Sequence, residues 1–80
     1  MDIQKKLIQE KGNAKVFKLK SGKIISAGIG EINKEEVKLF SSDAMKLMAE
    51  ATKNNKPTQQ IIDNKNNFTM ILISDIESIS

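Results

Sequence analysis

The sequence predicts one α+β domain, and three of its features carry that prediction. Two alternating runs, Lys15–Lys20 and Lys23–Ile29, flank the short link Ser21-Gly22, which is a hairpin signature. Behind Ser41-Ser42-Asp43, the apolar residues Ala44, Leu47, Met48 and Ala51 recur at i, i+3, i+4 and i+7, the period of one helix face. The segment Phe68–Ile73 is apolar almost throughout, which reads as a strand covered on both faces. Eighty residues suffice for a single domain, 1–80. The predicted order is a short N-terminal helix, a β-meander of three strands, one helix and a C-terminal β-hairpin, forming a small curved sheet or barrel.

Asp2 is placed to cap the first helix, with Ile3, Leu7 and Ile8 on its apolar face and Lys11-Gly12-Asn13 as its stop. In the hairpin, Phe17 and Leu19 share one face of the first strand, and Val16, Lys18 and Lys20 share the other. Ile25, Ala27 and Ile29 share a face of the second. Gly28 and Gly30 mark a bend, a bulge or a close approach of backbone. Asn33-Lys34 turns the chain into a third strand, Glu36–Phe40. Ser41, Ser42 and Asp43 then open the second helix, which Lys53-Asn54-Asn55-Lys56-Pro57 ends. The C-terminal hairpin is predicted from Thr58–Ile62 and Phe68–Ile73 around the polar turn Asp63–Asn67, and Ser74–Ile79 closes the chain.

The core expected from this pattern is Phe17, Leu19, Ile25, Leu39, Phe68, Met70 and Leu72. So small a core leaves a narrow stability margin. With no Cys there is no disulfide, and with neither Cys nor His there is no typical structural zinc site. Self-association is the remaining stabiliser, so a homo-oligomer is expected, through an exposed strand edge or the helix face bearing Met45 and Met48.

Histidine, cysteine, arginine, tryptophan and tyrosine are all missing. The usual imidazole base, thiolate nucleophile, soft metal ligands and planar phosphate fork go with them. A binding domain is therefore expected in place of an enzyme, with no catalytic residue, cofactor or metal. Ser42 and Lys46 stand at an everyday helical spacing, and a nucleophilic serine needs an activating base. Asp63–Asn67 has one carboxylate, too little charge for a calcium loop. Gly28-Ile29-Gly30 is not followed by a helix N-terminus, so it is no phosphate cradle.

The net charge of +3 comes from 13 lysines against 10 acidic residues, a weak tilt towards anionic partners. Lys15, Lys18, Lys20 and Lys23 around the hairpin are the anion-binding candidates. The same lysines also serve to keep an edge hairpin soluble. Met45 and Met48, with Lys46 beside them, are the candidates for an interaction surface, because Met repacks readily against a partner. No stretch is long and apolar enough to span a bilayer, and cysteine-free composition fits a cytoplasmic location.

The Leu19-Lys20-Ser21-Gly22-Lys23 link, Gly28 in the second strand and the closing Ile73–Ile79 segment resemble the small SH3-type and Sm-like barrels. In Sm-like proteins a helix precedes five curved strands, a Leu-x-x-Gly element stands in the first hairpin, and Gly sits in a bent second strand. Leu19, Gly22 and Gly28 match those places. The chain departs from the pattern in the helix between strands three and four and in lacking the aromatic and Asp-Asn residues that hold RNA bases. The resemblance thus implies a barrel and a ring-forming edge, but not RNA binding. The function expected is a small non-enzymatic domain that self-associates and engages a protein partner, of the kind found among phage and mobile-element accessory or inhibitor proteins. A nucleic-acid or nucleotide-binding barrel using the lysine hairpin is the alternative.

Overall fold

The structure, a computed structural model, describes residues 2–80. Among the described residues the elements run α1 (Ile3–Gln9), β1 (Ala14–Leu19), β2 (Ile24–Ile32), β3 (Glu36–Phe40), α2 (Ser42–Lys53), α3 (Gln59–Asp63), β4 (Phe68–Leu72) and β5 (Ile76–Ile79). Two 3-10 turns, Lys65–Asn67 and Ile73–Asp75, lead into β4 and β5. All five strands are antiparallel to their neighbours in the order β4-β3-β2-β1-β5. The sheet stays open, with β4 and β5 at opposite edges.

Local chemistry explains the first half of the chain. The Asp2 carboxylate accepts from the Lys5 N–H at 3.2 Å and so caps α1. The β1–β2 loop closes through Gly22 N–H to Leu19 C=O (2.9 Å) and Leu19 N–H to Lys23 C=O (2.8 Å). Gly22 takes φ +93°, the left-handed position that a three-residue hairpin loop requires. At the β2–β3 turn, Asn33 Oδ1 accepts from the N–H groups of Glu35 and Glu36. The β2–β3 register slips between Ile29 and Ile32, so a bulge falls beside Gly30.

One face of the sheet builds the core. Leu7 of α1, Phe17, Leu19, Ala27, Ile29, Val37, Leu39, Ile76 and Ile79 form a continuous buried cluster, and Ile3, Ile25, Ile32, Ile71 and Ile73 pack around it. The alternation predicted for the hairpin holds: Phe17 and Leu19 are buried, while Val16 and Lys18 lie outside.

The C-terminal part differs from the sequence-based expectation in two ways. Thr58–Ile62 is not a strand. Gln59–Asp63 is helical, so there is no C-terminal hairpin, and β4 pairs with β3. The physical reason is visible in the residues. Three polar residues followed by two isoleucines do not alternate. The Thr58 carbonyl accepts from Ile61 and Ile62, and Gln59 Nε2 reaches Asp63 Oδ1 one turn on at 3.0 Å. Secondly, β4 is an edge strand and is not covered on both faces. Met70 and Leu72 are 41% and 45% exposed, and Phe68 is only partly buried. The apolar run met a sheet with one neighbour to give it.

These positions set an order of mutational cost. Phe17→Ala, at a fully buried site, is expected to destabilise by about 3–5 kcal/mol. Met70→Ala should stay within about 0.5 kcal/mol when melted at low protein concentration, and Phe68→Ala should fall between the two. Chemical denaturation of the three variants checks the ranking.

Candidate functional site

The face of the sheet opposite the main core carries the site. Along β2, Gly28 and Gly30 stand two residues apart and so present the same bare face. A Cβ at Gly28 would overlap the Met45 sulfur, and one at Gly30 would overlap the Phe40 ring. The glycines are therefore a cleared strip that lets α2 and Phe40 approach the strand backbone.

Two well-made ends hold α2 there. The Ser41 hydroxyl accepts from the Ala44 N–H at 3.1 Å, with Asp43 in the first turn. At the other end Asn55 adopts φ +56°, Asn55 N–H reaches Thr52 C=O (3.2 Å), and Lys56 N–H reaches Ala51 C=O (2.8 Å). That is a Schellman closure with asparagine in the left-handed position. From this frame Ala44 is fully buried, and Met45 and Met48 are half-buried. α3 is tied down by Asn67 Nδ2, which donates to the Ile61 carbonyl at 3.0 Å, and it brings Ile62 to the same side.

Between α2, α3 and the sheet lies a cleft of about 820 Å³. Gly30, Phe40, Met45, Met48, Ala49 and Ile62 make its apolar lining, with Lys11, Glu31, Lys38 and Thr52 as the polar groups. Its volume falls within the range of ligand pockets. Beside it, Phe40 and Phe68 meet edge to face at 6.0 Å, and the Lys38 ammonium sits 4.0 Å from the Phe68 ring centre and 5.5 Å from that of Phe40. These are attractive cation–π and aromatic contacts across the β3–β4 border.

Of the residues singled out in the sequence, Met45 and Met48 line this cleft, and Lys46 lies exposed on α2 beside them. The four hairpin lysines are not brought to one point. Lys15 and Lys18 belong to opposite faces of β1. Lys15 pairs with Glu10 at 3.4 Å and Lys18 with Glu77 at 3.6 Å, while Lys20 and Lys23 flank the turn. The Lys18–Glu77 pair is exposed, and exposed pairs contribute little to stability. The Asn13 amide, 3.1 Å from Glu10, and then the charge of Lys15 hold the Glu10 carboxyl below its ordinary range. Any stability this gives is therefore present at neutral pH and lost as pH falls through the lowered folded-state value.

Sequence reasoning missed Phe40, Lys38 and Ile62. Gly28 and Gly30, at i and i+2 on one strand face, were the available signal that something packs there. Among the described residues no group of three or more acidic, His or Cys side chains is placed to hold a metal. No helix is long and apolar enough to cross a membrane among them.

The helix-on-glycine contact makes a measurable pair. Gly28→Ala is expected to destabilise by about 1 kcal/mol through overpacking against Met45. Gly28→Ala combined with Met45→Ala should cost less than the sum of the two, with coupling of about 0.5–1 kcal/mol in a double-mutant cycle.

Compared with protein families, with curated proteins and with solved structures, the chain matches none.

Proposed function

We propose that the chain is a small non-enzymatic binding domain that self-associates and engages a protein partner through the cleft between α2, α3 and the sheet. The observation that carries this reading is the lining itself: Gly30 and an aromatic ring on the sheet side, with two methionines on the helix above. Such a surface accepts a large apolar side chain, and methionine adapts to its shape. Lys11 and Lys38 line the same cleft as the single carboxylate of Glu31, so an apolar anchor flanked by an acidic residue fits best.

The SH3-type or Sm-like relationship belongs to this reading. It is supported by α1 ahead of five strands, Gly22 in the first hairpin and Gly28 in β2. A cytoplasmic location and a role as a phage or mobile-element accessory or inhibitor protein are proposed on the small, cysteine-free, lysine-only basic composition.

Met48→Glu tests the proposal. The substitution places a charge in the cleft at a half-buried helix position and should abolish capture of the partner while leaving the circular-dichroism spectrum unchanged. Binding by the parent should vary little with salt. A steep fall of affinity with salt, retained by Met48→Glu and lost on replacing Lys18, Lys20 and Lys23 by Ala, would instead support a nucleic-acid or nucleotide ligand at the hairpin.

A further inference from the structure

β4 is one edge of the sheet, with β3 as its single neighbouring strand. The ladder shows which backbone groups are free. Ser41 N–H donates to Asn67 C=O (3.0 Å) and Ile73 N–H to Glu35 C=O (2.8 Å), and the register between them pairs Leu39 with Thr69 and Val37 with Ile71. In an antiparallel ladder, bonded pairs alternate with unbonded ones. Thr69 and Ile71 therefore face β3, and the N–H and C=O groups of Phe68, Met70 and Leu72 point along the open edge.

Those three residues also share a side-chain face, and Met70 and Leu72 are well exposed. The strand Phe-Thr-Met-Ile-Leu contains no charge and no proline, which are usual guards of an edge. At the other edge, β5 carries Glu77, and α1 packs against that strand.

We infer that β4 pairs antiparallel with β4 of a second copy about a two-fold axis at Met70, joining two five-stranded sheets into one. This rests on the self-association in the functional reading and names its surface and partner. The outward groups are symmetric about Met70. An axis there sets Met70 against Met70 of the partner subunit and Phe68 against Leu72 of the partner subunit. Every pair formed is then one in which both residues have free backbone groups.

Charge complementarity favours this arrangement over a head-to-tail one. An uncharged strand meets an uncharged strand, whereas pairing β4 with β5 of a neighbour would set apolar residues beside Glu77 and leave further edges open to continue the chain. Lys38 lies one strand in from the edge, so the two copies of it stand three strand spacings apart, about 14 Å, beyond the screening length at physiological salt.

Sedimentation velocity over a concentration series, on the parent chain, Met70→Lys, Met70→Glu and an equimolar mixture of the two variants, tests the inference. The parent should show a monomer–dimer equilibrium. Each variant alone should be monomeric, because like charges would face each other across the axis, and the mixture should recover a one-to-one dimer. Concentration-dependent hydrogen-exchange protection at the amides of Phe68, Met70 and Leu72 in the parent gives a readout that does not depend on the variants folding. A parent that stays monomeric at high micromolar concentration would overturn the inference. So would assemblies larger than a dimer, a mixture that stays monomeric, or protection gained at β5. Met48→Glu should leave the dimer intact, so loss of the dimer and loss of cleft binding are separate results.

Discussion

Gly28 and Gly30 impose the constraint on which the rest of this molecule depends. β2 lies in the middle of the sheet, and its two faces do different work. Ala27 and Ile29 point into the main core, while the glycines leave the other face bare. Only a strand without Cβ atoms there lets Met45 and Phe40 reach the backbone, and that contact seats α2. The cleft, the buried Ala44 and the position of the methionines all follow. The bulge beside Gly30 bends the same strand where the ring of Phe40 arrives.

The two faces of the sheet are thereby packed to different degrees. The cluster around Leu7, Phe17, Ile29 and Val37 is the apolar burial that holds the fold, and α1 contributes to it through Leu7. A seven-residue helix has little stability of its own, so α1 persists because this side chain is buried. The opposite face is less complete. It holds a helix over glycine, an edge-to-face phenylalanine pair and a lysine stacked on both rings, and it leaves open volume between them. Incomplete packing on a framed surface is what a binding cleft requires.

The edge of β4 is a second open surface, and it lies on the same side as the phenylalanine pair. A chain without cysteine or histidine has few ways to add stability, and the proposed pairing at this edge would supply one through association. The proposed backbone pairing at β4 and the proposed side-chain capture in the cleft would use different groups.

Much of the fold was legible in the residues because its signals are local. The alternation in β1 and β2, the left-handed glycine after Lys20-Ser21, the Ser41 cap and the Asn54-Asn55-Lys56 stop each act within a few residues of chain. That Met45 and Met48 share one side of α2 was legible for the same reason. Thr58–Ile62 was not, since a helix of five residues is settled by the anchoring of its ends, and here Asn67 supplies one anchor from outside it. The apolar run Phe68–Ile73 was read as buried because composition measures a preference for burial and does not count neighbours. The sequence by itself determined where the strands, turns and helices lie up to Pro57 and which hairpin face is apolar. Only the tertiary structure decided that β4 has a single neighbour, that Phe40 and Ile62 join the methionines around a cleft, and that Lys18 pairs with Glu77 of the distant β5. Each of these depends on which distant segment occupies the adjoining space, and no local propensity encodes that.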